Sequence, residues 1–307
     1  MSAAYATLRL LPASQFPPGS LGIEVTDAEL AARCDLGNID PQHGYARGPA
    51  IAGRAAIDVA LGWPLPPPGA TLVTIRPDAD SIGAMAVLSL RAAGVAFTPP
   101  MLARVDRIAR ADCFDYGDWA SWATAHPPPV VGQTLLALSP HTPEFCALAA
   151  CVGLLTDNSG GDDLPAAVAM MGDWLLTGAL PAQGVDEVRR SDMAAAKAWA
   201  AGLIRVTAVC GGRVAHVDSD YRGAMALGYR LAPVVVAEGK VRGARKVTIA
   251  QFERGHLDMA ALARRLNAIE AGWGGSATVL GSPQNAPTSL KIGLIIGAIE
   301  ETGVSIR

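Results

Sequence analysis

TLVTIRPDADSIGAMAVLSLR, residues 71–91, decides the fold. TLVTI (71–75) is apolar and β-branched with no polar alternation. That pattern predicts a strand covered on both faces, as in a parallel sheet. IGAMAVLSLRAAG (82–94) has helical composition and stops at a glycine, a common helix end. Between them stand Arg76, Pro77, Asp78 and Asp80. Residues two apart on an extended strand share a side, and α/β proteins place their ligand crevices at the carboxyl ends of strands. Asp78 and Asp80 are therefore expected to face one cleft. At ~4 Å and an effective dielectric of ~20, two such carboxylates repel by ~4 kcal/mol. A divalent cation is the usual neutralising partner, because carboxylate oxygens suit hard metals such as Mg2+ or Mn2+. Two other answers stay open. Asp80 or Ser81 would cap the following helix, and the Arg76 guanidinium would pair with the acids or hold a phosphate in two-pronged fashion.

The rest of the chain fits an α/β domain followed by a smaller α+β domain. YATLRLL (5–11) and LGIEV (21–25) read as strands and GRAAIDVALG (53–62) as a helix. PLPPPG (64–69) is a stiff connector. Helices follow at 101–112, 143–157 and 163–178, with the polar loop TDNSGGDD between the last two. Alternating strands and helices place this part in the α/β class, a parallel sheet with helices on both faces, over residues 1–190. A helical connector spans 191–202. Short strands at 203–210, 213–218, 232–239 and 246–251, then helices at 257–269 and 289–303, make the second domain, 203–307. The glycine-rich stretch GWGGSATVLGS (272–282) lies between those helices.

Composition excludes several classes. With 50% hydrophobic and 17% charged residues, the chain does not have the signature of disorder. A net charge of −3 gives no footprint for duplex nucleic acid or anionic membranes, but a small anionic ligand in a local pocket is compatible with it. The longest apolar run, FCALAACVGLL (145–155), is far short of the ~20 residues of a membrane span. The first 20 residues hold one basic residue, Arg9, and no continuous apolar run, so no signal peptide is expected. Five cysteines without a CxxC pair read as free thiols of a cytoplasmic protein. Self-association is left open.

RPDADSIGA resembles the first motif of the DHH phosphoesterase superfamily. GLLTDNSGG (153–161) is similar to that family's fourth motif, and GWGGSATVLG (272–281) to the glycine-rich element of the DHH-associated C-terminal domain. The resemblance implies a cation-dependent phosphoesterase. Asp78, Asp80 and Asp157 would hold Mn2+ or Mg2+ together with Asp112 or Asp106, and a metal-activated water would attack a nucleotide or short oligonucleotide. Gly274, Gly275, Ser276 and Thr278 would grip the substrate, with loop amides and hydroxyls forming an anion nest. Asn158, Gly160 and Gly161 would shape the turn presenting Asp157.

The chain departs from the family at its nitrogen ligands. Thr74 stands where the first motif has a histidine, Ser276 where the C-terminal element has one, and no two of the five histidines are adjacent. His43 with Asp40, in NIDPQHGY, would restore a nitrogen ligand or form a surface turn. His141 reads as a remnant ligand or a loop residue. His216, near Asp218 and Asp220, reads as a strand-face histidine or a ligand, and His126 and His256 as loop residues. Asp112, Asp115 and Asp118, interleaved with Phe114, Tyr116 and Trp119, read as a solvated face or a cleft wall. The lost histidines give the alternative function: a non-catalytic module that binds an anionic small molecule or serves regulation or assembly.

Overall fold

A computed structural model describes residues 5–9, 16–25, 27–39, 65–112, 114, 116–128, 139–157, 163–221, 223–241, 243–283 and 286–304. The chain forms two compact units. The first comprises Met1–Cys113 and Thr142–Val188, the second Phe114–His141 and Arg189–Arg307. The described residues of 114–141, a segment that the sequence reading put in the first domain, thus belong to the second unit.

The first unit is built on a four-stranded parallel sheet, β1 (Ala6–Arg9), β2 (Ser20–Ile23), β3 (Asn38–Ile39) and β4 (Thr71–Thr74), in the order β1-β4-β2-β3. β4 lies between β1 and β2, with Thr71 opposite both Ala6 and Ser20. Its apolar run is explained by burial on both faces. Leu72 joins Leu21 and Ile23 in the main core, while Val73 packs with Val25 and Cys34 on the other side. Short α1 (Ala28–Ala31) follows β2, capped by the Asp27 carboxylate, which accepts from the Glu29 and Leu30 amides. Helices α2 (Ala79–Ala92), α3 (Pro99–Asp112), α5 (Pro143–Asp157) and α6 (Leu164–Thr177) supply the rest of the core, among them Met85, Val105, Leu148 and Trp174. The expected helix at 53–62 lies outside the described residues.

The second unit holds α4 (Trp119–Ala125), which Asp118 caps. The long helix α7 (Ala182–Ala200) starts in the first unit and ends in the second. A six-stranded sheet follows: β5 (Arg205–Val209), β6 (Val214–Asp218), β7 (Val234–Val241), β8 (Ala244–Gln251), β9 (Gly274–Gly275) and β10 (Val279–Gly281), in the order β5-β6-β7-β8-β10-β9. Among the described residues of this sheet, β6–β7 is the parallel pairing and the other pairings are antiparallel. Helices α8 (Met225–Tyr229), α9 (Met259–Asn267) and α10 (Ile292–Thr302) complete the unit. The fold class expected from the sequence, α/β with a second sheet-bearing domain, is the one observed.

One aromatic cluster in the second unit carries a polar anomaly. Tyr229 is fully buried, its ring centroid 5.2 Å from that of Phe252 and 5.8 Å from that of Tyr116. Among the described residues its hydroxyl has no hydrogen-bond partner, and burial holds the phenol far above its ordinary pKa. An unsatisfied buried hydroxyl costs ~1–3 kcal/mol. Tyr229→Phe keeps the ring contacts and removes the orphan, so its urea midpoint is expected to match or exceed wild type, with a gain of up to ~1 kcal/mol. A loss of that size would show that the hydroxyl is satisfied.

Among the described residues no helix is long and apolar enough to cross a membrane. Cys34, Cys146, Cys151 and Cys210 are free thiols. Cys113 lies outside the described residues.

Candidate functional site

The two aspartates of the DAD stretch meet at a helix N-terminus and not on a strand. β4 ends at Thr74 and α2 begins at Ala79, three residues earlier than expected, because Asp78 is its cap. Asp78 Oδ1 accepts from the Asp80 amide at 3.1 Å, the Ser81 amide at 3.0 Å and the Ser81 hydroxyl at 3.1 Å. The Asp78 amide in turn donates to Ser81 Oγ at 2.9 Å, which closes a capping box. The capping role therefore falls to Asp78, with Ser81 as its partner, and not to Asp80.

Asp80 is left for another purpose. It is 1% exposed, and among the described residues neither of its carboxyl oxygens has a hydrogen-bond partner. Burial raises its pKa well above the ordinary carboxylate range, and the charges of Glu24, Asp112 and Asp78 push the same way. Of those three charges, that of Glu24 acts on Asp80 most strongly. Two carboxylates are acceptors only, so a bond between them needs a proton from one of the pair, or a cation between them.

Glu24 is the residue that the sequence reading missed. It follows β2 directly, at the carboxyl end of the strand beside β4, and it is 8% exposed. Its φ of +51° lies in the left-handed region, uncommon for a residue other than glycine. Its amide donates to the Ile39 carbonyl at 2.9 Å, which holds the turn against β3. Backbone held in such a region is costly and concentrates at functional sites. The available signal was LGIEV itself, a strand ending on an acid at the sheet edge where ligands bind.

The other expected site residues divide as follows. Asp112, the last residue of α3, is half-buried and near enough for its charge to act on Asp80. Asp106 is exposed on the same helix, so of the two candidates it is Asp112 that reaches the cluster. Arg76 is exposed, and among the described residues it makes no ion pair with Asp78 or Asp80, so it does not neutralise them. Thr74 is fully buried, and its hydroxyl accepts from the Arg76 amide at 3.3 Å. Asp157 ends α5, but its side chain lies outside the described residues, as do Asp40, His43, Asp115, Asn158, Gly160 and Gly161.

A divalent cation fits this cluster in part. The orphaned oxygens of Asp80 are what a cation would satisfy. Nitrogen ligands are missing, since Thr74 supplies no imidazole. Among the described residues no three His, Cys, Asp or Glu side chains gather in metal-holding geometry. What the described residues offer a hard cation is Asp80, on which the charges of Glu24, Asp112 and Asp78 act. A separate cavity of about 80 Å³ lies along the later turns of α2, lined by Thr7, Ala86, Ser89, Leu90 and Val168, and none of the four acids borders it.

In the second unit the glycine-rich loop is more committed than the sequence suggested. Gly274 and Gly275 form β9, and a Cβ on Gly275 would meet the Val279 carbonyl at 2.1 Å, so the backbone itself requires glycine there. The Ser276 amide donates to the Val279 carbonyl at 2.7 Å. The Ser276 and Thr278 hydroxyls lie 3.1 Å apart, and the Thr278 amide donates to Ser276 Oγ at 3.3 Å. Two amides expected to form an anion nest are therefore already bonded within the loop. Buried Gln251 ties down the loop carbonyls, with Nε2 donating to Ala277 O at 2.7 Å and its amide to Thr278 O at 2.9 Å.

The described histidines have local roles. His141 Nε2 is 3.1 Å from the Tyr116 hydroxyl, and burial lowers its pKa to about 4, so it is neutral at physiological pH. His216 Nε2 is 2.8 Å from Glu238 Oε1, and Arg245 holds the other Glu238 oxygen at 2.7 Å. His126 stacks on Trp122. His256 is buried in its loop, with its amide on Gln251 Oε1 at 3.0 Å. Phe114, Tyr116 and Trp119 pack against the second unit's own core, and Trp119 Nε1 donates to the Tyr229 carbonyl at 2.7 Å.

No family model matches the chain, and no curated protein matches it. Among solved structures it is similar to the pGpG-specific phosphodiesterase PggH from Vibrio cholerae. The identity is 13% and the TM-score 0.40, over 82% of this chain and 96% of the other. The likeness is distant, and no residue role is carried over from it.

Proposed function

We propose that the chain is a divergent cation-dependent phosphoesterase acting on a small phosphorylated substrate, a nucleotide or short oligonucleotide. The observation that supports this reading is Asp80: a buried carboxyl in the first turn of α2, after the parallel strand β4, with no partner for either oxygen among the described residues, on which the charges of Glu24, Asp112 and Asp78 act. A lone acid so placed is costly, and a bound cation gives it a purpose. When bound, Mg2+ or Mn2+ supplies positive charge for the phosphoryl oxygens and acidifies a water molecule. Asp78 fixes the first turn of α2, and that turn aims Asp80 at the cluster. Glu24 and Asp80 supply the negative charge that attracts the cation.

A second reading has its own support. Thr74 and Ser276 replace two family histidines, and the described acids do not form a three-ligand group. On that reading the cluster binds a cation or a small phosphorylated molecule without turning it over.

Hydrolysis of bis(p-nitrophenyl) phosphate by the full chain, with Mn2+ or Mg2+ and with chelator, separates the two. Cation-supported turnover that is abolished by chelator is expected. Asp80→Asn should lose more than the ~10–100-fold that follows removal of an outer-sphere metal partner. Turnover that persists in Asp80→Asn, or in chelator, would refute the proposal, and cation binding without turnover would establish the second reading.

A further inference from the structure

We propose that the groove between α2 and α6 binds a small primary ammonium ion, with its short alkyl body between the helices and its charged head at Asp173. The inference is independent of the phosphoesterase reading. Glu24, Asp78, Asp80 and Asp112 do not border the groove, and the residues that line it belong to the first unit.

Helical spacing builds the groove. Ala86, Leu90 and Ala93 line it from α2, and Val168, Gly172 and Asp173 from α6. Residues three, four or seven apart share a helix face. The two helices pack together, and α6 also packs on β1, whose Thr7 completes the wall. Gly172 keeps the space open. It is buried inside α6, where glycine is unfavourable. A Cβ there would meet no atom within 4 Å, so no close approach by another group requires the glycine. The space that remains is about 80 Å³. One water needs ~10–15 Å³ and a cavity of ~150 Å³ takes benzene, so the groove suits a chain of a few carbons.

The polar groups select the charge. Asp173 is exposed, and its carboxylate makes no hydrogen bond or ion pair with another described residue. Thr7 and Ser89 also line the groove, and among the described residues their buried hydroxyl oxygens have no partner. An ionised carboxylate only accepts hydrogen bonds, a hydroxyl oxygen also accepts, and an ammonium group carries three donors. The ligand that matches is therefore cationic at one end and apolar along its stem. Among the described residues no basic side chain lines the groove, so an anion of the same size would meet the Asp173 charge unopposed.

The test is titration of the full-length protein with n-butylammonium chloride at constant ionic strength, followed by backbone amide chemical shifts. n-Butanol and sodium butyrate serve as uncharged and anionic probes of equal chain length. Butylammonium is expected to saturate one site per chain, with shifts centred on α2 and α6 around Ser89 and Gly172. Butanol should bind ~2–5-fold more weakly, the range that an exposed ion pair contributes, and butyrate should not bind. Asp173→Asn, at an exposed position, should fold as wild type does and bind butylammonium no better than butanol. Gly172→Leu fills the open space and favours the helix, and it should bind neither. Equal binding of amine and alcohol by the wild type, or unchanged amine binding by Asp173→Asn, would overturn the proposal by removing its charged contact. Binding that survives in folded Gly172→Leu would overturn it by placing the amine outside the groove. The absence of any saturable shift would mean that the groove holds water only, and would also overturn it.

Discussion

At neutral pH and free of cation, Asp80→Asn melts above wild type, and the advantage disappears on acidification toward pH ~4. The cause is that burial and the neighbouring charges of Glu24, Asp112 and Asp78 raise the Asp80 pKa. Below the unfolded carboxyl pKa of ~3.9 the side chain is protonated in both states and imposes no penalty. Above it the unfolded chain releases a proton that the folded chain retains. Stability then falls by ~1.4 kcal/mol for each further pH unit, until the folded carboxyl also ionises. Asparagine does not titrate and keeps the shape. Its gain therefore grows from nothing at the acid end toward neutral pH. Thermal melts of both proteins across that range check the prediction. Equal melting temperatures at neutral pH would mean that Asp80 ionises without penalty, and would remove the physical basis of the cation proposal. The same variant should be the more stable protein and the inactive one, so a loss of turnover could not be assigned to unfolding.

The sequence stretch that reveals the sheet reveals only half of the acid cluster. TLVTI is readable because a strand buried on both faces needs apolar side chains at every position, and Leu72 and Val73 are fully buried in different clusters. The DAD spacing is readable as a site for the wrong geometric reason. The two acids come together because Asp78 caps α2 and sets Asp80 in its first turn, whereas strand alternation predicted two equivalent ligands. The structure makes them unequal: Asp78 bonds to the helix start, and Asp80 alone is orphaned. Glu24 escapes a local reading because its proximity to Asp80 comes from the pairing of β2 with β4, a non-local register that no spacing rule contains. The glycine-rich loop errs the other way. Its composition suits an anion nest, but pairing with β10 and the bond from the Ser276 amide to the Val279 carbonyl use amides that the composition alone leaves available.

Trp174→Ala is the substitution expected to destabilise the first unit most. Trp174 is 1% exposed on α6 and belongs to the same cluster as Met85 and Leu88 of α2, Val105 and Ile108 of α3, and Leu148 and Val152 of α5. Truncating a buried tryptophan removes its transfer free energy and leaves a cavity that surrounding helices only partly refill, a cost of ~3–5 kcal/mol. That is a large share of the ~5–15 kcal/mol that usually holds a domain. The effect reaches the acid cluster through α2, which packs along α6 and carries Asp78 and Asp80 at its first turn. In urea, the transition of the first unit should move to lower denaturant with little change in slope, while that of the second unit, whose core is separate, should stay in place. Trp174→Phe keeps most of the buried ring and should lose less than half as much. Mn2+ binding should decline in Trp174→Ala only at urea concentrations where the first unit unfolds. A variant that stays as stable as wild type, or that loses Mn2+ while the first unit is still folded, would show that α6 does not support the helix start on which Asp80 depends.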